Sequence, residues 1–377
     1  MRFSHRTSPP SRPVRLRSGD SGSRCDYHGE GRIAPWLEDL LTARSDFLAD
    51  VPPAPMAPTY EAIRPRLEEV ERLLLAEIAA GPPAVQESGG YVIQGGGKRL
   101  RPSLLLLVSR MLGFESRREI VYGAVVEMIH TATLVHDDII DHASVRRGRT
   151  TANHRWGNQL TVLLGDWLFI RALELALGLG DTEVMRVLSR ATVEMVEGEV
   201  LGLSLNGRVD VSRDQYLDIV RRKTAELFAA CGAVPTLIGT DHRDLREPLA
   251  TFGLNLGMCF QIIDDLLDLT ASETRLGKPV FSDLREGKVT LPFILLLPRV
   301  SAAHRAIVER AASSGEIADA EVAALRSLLR DTGVLSETRA LAAEYAATAS
   351  HALERLPDTP ERDVLATIPS FVLQRDF

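Results

Sequence analysis

Two five-residue segments, Asp137-Asp138-Ile139-Ile140-Asp141 and Asp264-Asp265-Leu266-Leu267-Asp268, repeat one pattern, DDxxD, inside strongly apolar surroundings (LVHDDIID and FQIIDDLLDL). In a helix the first and last aspartates of each segment are i and i+4, so their carboxylates share a face. Six carboxylates buried among large apolar residues repel one another and resist desolvation. Divalent cations remove that objection, and carboxylates acting with waters and phosphate oxygens are the ligand set that Mg²⁺ prefers. One such segment reads equally well as a solvated helix face or an N-cap. Two copies, each flanked by large apolar residues, point to a metal site. No glycine-centred loop with a terminal Glu is present, which excludes an EF-hand. No His/Cys cluster accompanies them, which argues against zinc.

The rest of the chain supplies a helical frame. Apolar residues recur at helical spacing over Tyr60–Ala80, Arg101–Leu112, Ile120–Asp141, Leu160–Leu179, Asp181–Leu203, Asp214–Gly232, Arg246–Leu269, Leu291–Val300 and several C-terminal segments. Nowhere do several β-branched runs alternate at period two. Many of these helices are apolar on most faces, which places them inside a large bundle. The predicted fold is therefore all-α, with one domain over residues 59–377. Residues 1–58 read as an Arg/Ser/Pro-rich tail and linker, largely disordered. Within it, residues 31–50 fit a short helix and Val51–Pro58 a linker. The tail reads as a bacterial extension, as the product of a start codon placed too early, or as an organelle transit peptide.

A net charge of −7 argues against a general nucleic-acid binder. No apolar run approaches the roughly 18 residues of a membrane-spanning helix. The three cysteines (Cys25, Cys231, Cys259) form no CxxC pair, which fits a reducing compartment and rules out a disulfide framework. The expected location is the bacterial cytoplasm, with import into an organelle left open by the tail.

Of the 44 basic residues only four are lysines: Lys98, Lys223, Lys278 and Lys288. Arg-favouring codon bias accounts for the low number but not for the positions. Gly95-Gly96-Gly97-Lys98-Arg99-Leu100-Arg101-Pro102 is a glycine-rich loop opening a helix, where free N–H groups favour an anion. Arg146-Arg147-Gly148 follows the first aspartate cluster. Lys223-Thr224 lies within a helix, Gly277-Lys278-Pro279 follows the second cluster, and Lys288 stands a little further on. At helical spacing His130, Asp137 and Asp141 share one stripe, and Gln261, Asp264, Asp265 and Asp268 share another; His136 points away and reads as structural. Metal-bridged carboxylates facing cations describe a diphosphate pocket, and the apolar helices around them supply a hydrocarbon cavity.

At GGKRLRP, HTATLVHDDIIDHASVRRGRT, GDWLF, KT, FQIIDDLLD and GK the sequence resembles trans-isoprenyl diphosphate synthases of the polyprenyl synthetase family, in the family's order over about residues 59–377. The resemblance implies a terpenoid-synthase helical bundle around a central cavity, a homodimer, and head-to-tail condensation of isopentenyl diphosphate with an allylic diphosphate, farnesyl or geranylgeranyl diphosphate. It implies that Asp137 and Asp141 bind two Mg²⁺ and Asp264 a third, supported by Asp138, Asp265 and Asp268, with Mn²⁺ as a substitute. Arg146, Lys223, Lys278 and Lys288 would contact the allylic diphosphate. Lys98, Arg101, His130 and Arg147 would hold isopentenyl diphosphate. Thr224, Gln261 and the Lys223 carbonyl would face the developing cation.

Product length follows from the cavity wall one turn before the first cluster. Short-chain family members carry a bulky aromatic there, whereas Ala132 and Thr133 are small. The expected product is longer than twenty carbons, in the range thirty-five to fifty, unless Trp167, Phe169 or Met128 closes the cavity deeper down. The alternatives are a geranylgeranyl or farnesyl diphosphate synthase, a class I terpene cyclase, and a non-catalytic partner subunit of a heteromeric synthase. The second DDxxD and GGKRLRP argue against a cyclase, and the intact clusters argue against a silent subunit.

Overall fold

The computed structural model describes residues 57–239, 242–270 and 280–374. The predicted tail helix at 31–50 lies outside them, as do Cys25 and Lys278. Helix follows helix: α1 (Ala57–Ala79), α2 (Pro83–Ile93), α3 (Leu100–Met111), α4 (Arg117–Ile140), α5 (Ala152–Trp156), α6 (Asn158–Gly178), α7 (Thr182–Leu205) and α8 (Arg213–Val220). A π-turn at Arg221–Ala225 leads into α9 (Glu226–Ala233) and α10 (Pro235–Ile238), and α11 (Arg246–Thr270) closes the central bundle. Six further helices complete the fold: α12 (Ser282–Arg285), α13 (Leu291–Leu296), α14 (Ala302–Ser314), α15 (Asp319–Asp331), α16 (Val334–Leu353) and α17 (Pro360–Leu373), of which α16 packs along α11 in the main core. The only strands among the described residues are β1 (Val145–Arg146) and β2 (Arg149–Thr150), which form one small hairpin.

α4 is the central element. Ser116 caps it in a reciprocal capping box with Glu119, satisfying two N-terminal donors. From Glu119 to Ile129 every residue is buried, so the helix is enclosed on all sides. Two α11 glycines set the second wall. A Cβ at Gly253 would lie 2.2 Å from the Phe228 carbonyl oxygen, and one at Gly257 would lie 2.6 Å from the Ala225 Cα. Their spacing of four puts both on one face of α11, where α9 comes into backbone contact. The main core runs from Ile63 to Val372, and a satellite core gathers Phe281, Phe293, Val308 and Leu325 under the C-terminal half. Ile294, Leu295 and Leu335 pack against both.

The structure corrects three expectations. The helix expected over Asp214–Gly232 is broken by the π-turn, because five residues there bond at i→i+5 rather than i→i+4. The segment Leu291–Val300 is helical only to Leu296 and tightens into a 3₁₀ turn over Leu297–Arg299, where Pro298 lies. α2 was not anticipated, since Gly89-Gly90 within it obscures the helical pattern. Its glycine is used: a Cβ at Gly89 would lie 2.8 Å from Ile78.

Candidate active site

The first aspartate cluster occupies the last turn of α4, with Asp141 as its C-cap. Carboxylates there face the negative end of the helix dipole and require nearby positive charge. Three cations supply it. Arg146 Nε lies 2.6 Å from Asp138 Oδ1, Lys223 Nζ lies 3.3 Å from Asp137 Oδ2, and Lys288 Nζ lies 2.8 Å from Asp141 Oδ2. Each lysine also has a carboxylate outside the clusters. Lys223 pairs closely with Glu199, and Lys288 lies 2.9 Å from Glu286 Oε2. Burial would lower both lysines, but these carboxylates more than offset it and hold the ammonium groups above their ordinary pKa. Burial raises Asp138, against the pull of Arg146.

The second cluster lies in the last two turns of α11. The sequence anticipates six buried carboxylates; the structure buries Asp138, Asp265 and Asp268, half-buries Asp137 and Asp141, and exposes Asp264. Neighbouring residues of a helix point about 100° apart, so Asp264 is exposed while Asp265 is buried. Asp265 accepts from the Tyr216 hydroxyl at 2.6 Å and from Gln261 Nε2 at 2.8 Å. Burial nevertheless pushes its pKa up to about 7, helped by Asp264 and Asp268. Asp268 accepts from the Ser282 hydroxyl and from the Asp283 backbone N–H.

Two segments tie the clusters together. On the π-turn Lys223 reaches Asp137, while its neighbour Thr224 donates to Gln261 Oε1 at 2.9 Å and so joins the chain leading to Asp265. On the 282–288 segment Ser282 reaches Asp268 while Lys288 reaches Asp141. Between them lies a cavity of about 180 Å³ lined by Lys223, Thr224, Gln261, Asp265 and Lys288 and by apolar residues such as Leu203 and Ile219. Among the described residues no three carboxylate, His or Cys ligands converge on one point. Asp137 and Asp141, four residues apart at the end of α4, are a carboxylate pair of the kind that holds Mg²⁺ together with substrate phosphates rather than within an all-protein cage.

A second cationic group lies beyond α4. Arg101 is buried against Phe228, its guanidinium carbon 4.7 Å from the ring centroid, and its Nε has no hydrogen-bond partner. Burial lowers its pKa. His130 is held well below 6.5 by burial and then by Arg101 and Arg147, so its imidazole is neutral at pH 7. Arg147 donates to the Gly96 carbonyl. Arg147 (φ 51°) and Gly148 (φ 71°) are both left-handed, as a type I′ hairpin turn requires. Only the glycine adopts that conformation freely; for Arg147 it costs roughly 1–2 kcal/mol. Lys98 precedes α3 in the same loop. The structure therefore brings together the residues predicted for isopentenyl diphosphate: Arg101, His130 and Arg147, with Lys98 on the adjoining loop.

Sequence reasoning missed Arg99, Glu199, Glu286 and Tyr216. Arg99 turns inward, 2.6 Å from Glu127 Oε1 and 3.0 Å from the Ile93 carbonyl, and so anchors the glycine loop. Glu286 stands two residues before Lys288 and was readable as its partner. Glu199 and Tyr216 carry no local signal. Ala132 is buried, and Thr133 turns its hydroxyl back to the His130 carbonyl at 2.8 Å. His136 fills the space left by Gly165, where a Cβ would lie 2.2 Å from Nε2, and bonds the Val162 carbonyl at 3.1 Å. Trp167 packs against Gly81 at the α1–α2 turn.

Residues 82–329 match the family model described as polyprenyl synthetase. The chain is 36% identical over 307 residues to octaprenyl diphosphate synthase of Escherichia coli (strain K12), covering 81% of this chain and 95% of that one. It is 38% identical over 312 residues to heptaprenyl diphosphate synthase component 2 of Geobacillus stearothermophilus, covering 82% and 94%. A solved polyprenyl synthase from Caulobacter crescentus CB15, complexed with calcium and isoprenyl diphosphate, superposes with a TM-score of 0.80 at 36% identity over 84% of this chain and 97% of that one.

Proposed function

The chain belongs to the polyprenyl synthetase family, and from that premise we propose that its two-cluster site condenses isopentenyl diphosphate with an allylic diphosphate to a product longer than twenty carbons. The observation that carries this is the double tie between the clusters through Lys223–Thr224 and Ser282–Lys288. It gathers acidic and cationic groups around one cavity, as a diphosphate with its metal ions demands.

Asp137 and Asp141 would hold two Mg²⁺ and Asp264 a third, with Mn²⁺ as a substitute; bound, they would stabilise charge on the departing diphosphate. Asp138, Asp265 and Asp268 are hydrogen-bonded to Arg146, Tyr216 and Ser282, which suits them to a supporting part. Arg146, Lys223 and Lys288 bind the allylic diphosphate and take up charge as its C–O bond breaks. Lys278 belongs to this group on the sequence reading alone. The Thr224 hydroxyl, the Gln261 amide oxygen and the Lys223 carbonyl face the allylic cation, and the apolar walls keep water from it. Lys98, Arg101, His130 and Arg147 hold isopentenyl diphosphate so that its double bond attacks the cation. The released diphosphate accepts the proton, which accounts for the absence of a poised His or Glu base from the set.

The small Ala132 and Thr133 support a product of thirty-five to fifty carbons from a farnesyl or geranylgeranyl primer. A homodimer is supported by an apolar face that the single chain leaves bare. Leu163, Ile170 and Leu177 on α6 are 62%, 60% and 63% exposed, and Val196 and Val200 on α7 are 57% and 61% exposed. Residues 59–377 would form the one catalytic domain. Among the described residues no helix is long and apolar enough to cross a membrane; we place the enzyme in the bacterial cytoplasm. The test is incubation of pure protein with isopentenyl diphosphate, each primer and Mg²⁺, with products sized by mass spectrometry. Chains of thirty-five to fifty carbons are expected; cyclic hydrocarbons or no transfer would overturn the reading.

A further inference from the structure

The hairpin that carries Arg146 and Arg147 carries a third arginine with no part in the site described above. β1 and β2 pair Arg146 with Arg149 in register, which sets two like charges opposite each other. Such pairs are unfavourable unless the charges are drawn apart. Here they are. Arg146 turns to Asp138, whereas Arg149 lies against Tyr91, its guanidinium carbon 4.2 Å from the ring centroid. Arg155 stacks on the same ring at 4.8 Å and on Trp156 at 4.7 Å. Tyr91 is itself fixed, its hydroxyl donating to the Thr150 carbonyl at 2.8 Å and its ring set edge-on to Trp156.

Among the described residues no carboxylate answers this charge. Residues 142–157 contain four arginines and neither Asp nor Glu, and among the described residues Arg149 and Arg155 have ring contacts but no ion pair. A guanidinium held by its face keeps its N–H edges for an anion. The place of Arg149 says which anion. A Cβ at Gly95 would lie 3.6 Å from Arg149 Nη1, and one at Gly97 would lie 2.8 Å from Arg147 Nη1. The two guanidinium groups therefore lie over the glycine loop that leads into Lys98.

We propose that Arg149, clamped on Tyr91, is a further contact for the diphosphate of isopentenyl diphosphate, with Arg155 extending the cationic rim to the surface. The proposal rests on placing that diphosphate at Lys98, Arg101, His130 and Arg147. Arg101 is buried, Arg149 half-buried and Arg155 exposed, so positive charge runs outward from the subsite. In a chain of net charge −7 such a rim offsets the general repulsion of a multiply charged anion and speeds its capture.

The test varies isopentenyl diphosphate at saturating allylic diphosphate and Mg²⁺, at low and raised ionic strength, with a calorimetric titration of isopentenyl diphosphate alongside. Arg149→Gln is expected to raise the KM and the calorimetric Kd for isopentenyl diphosphate about tenfold. It should leave kcat and the allylic KM within about twofold and flatten the fall of kcat/KM with salt. Arg149→Lys, which keeps the charge but not the planar stack, should fall between the two and serves if the glutamine variant fails to fold. An unchanged KM, Kd and salt slope, or a change confined to the allylic KM, overturns the role of Arg149. Arg101→Gln and Arg147→Gln that leave isopentenyl diphosphate binding intact would instead overturn the subsite on which it rests.

Discussion

The Lys288 ammonium lies 2.8 Å from Asp141 Oδ2, across 147 residues of sequence. It thus sits on a carboxylate that a metal ion would claim, while Glu286 keeps a second hold on it at 2.9 Å. Lys223 stands in the same relation to Asp137 and Glu199. A compact ammonium fits between two carboxylates where a planar guanidinium does not. Lys223→Arg and Lys288→Arg are therefore expected to lower kcat/KM for the allylic substrate about tenfold, or about 1.4 kcal/mol, and Lys98→Arg to do the same for isopentenyl diphosphate. Wild-type kinetics for Lys288→Arg would make that lysine an accidental survivor of codon bias.

Asp137→Ala and Asp264→Ala should each reduce kcat about a thousandfold. Asp264 is exposed and Asp137 half-buried, so neither truncation opens a core cavity, and circular dichroism melting should stay within a few degrees of wild type. Near-normal turnover in either variant would remove that residue from the metal set.

Ala132→Phe should shorten the product, read by mass spectrometry. Ala132 is buried about a turn and a half before Asp137 and Asp138, and a phenyl ring there must displace its packed neighbours or enter the path proposed for the growing chain. Unchanged product length would take Ala132 out of the wall.

Asp265 gives the metal-free protein a pH dependence. Its pKa is pushed from the usual carboxylate range up to about 7, so the folded state favours the protonated form. The associated stability is complete below the unfolded pKa of about 4 and is lost as pH rises toward 7. In EDTA, Asp265→Asn should melt close to wild type at pH 4 and above it at pH 8. Added Mg²⁺ should raise the wild-type melting temperature most at pH 8. Parallel melting profiles for the two proteins across this range would contradict the assignment.

Leu163→Glu combined with Ile170→Glu places charge on the bare face of α6. Light scattering should show a dimer for wild type and a monomer for the double variant, since a carboxylate buried in an apolar interface costs several kcal/mol. A variant that stays dimeric would move the interface elsewhere.

Much of this was legible because it is local. The two DDxxD segments declare their own helical faces, and GGKRLRP declares a loop followed by a helix start. The GLNLG spacing of Gly253 and Gly257 was also there to be read as a close helix contact. What was not legible depends on chain segments distant in sequence. Glu199 matters only because α7 passes beside the π-turn, and Tyr216 only because α8 faces α11. Arg99 looks like one more cation of its loop until Glu127, 28 residues on, draws it inside. The π-turn has no local mark at all, since Arg221–Ala225 is an ordinary helical composition.

That turn fixes the length of the chain as well as its shape. A π-turn holds one residue more than an α-helix would over the same path. Deleting any one residue of Arg221–Ala225 would let α8 run straight into α9, and every side chain on one flank would rotate by about 100°. Either Lys223 would leave Asp137 or Thr224 would leave Gln261. A substitution here leaves the length of the turn intact, but an insertion or deletion of one residue would uncouple the two halves of the site.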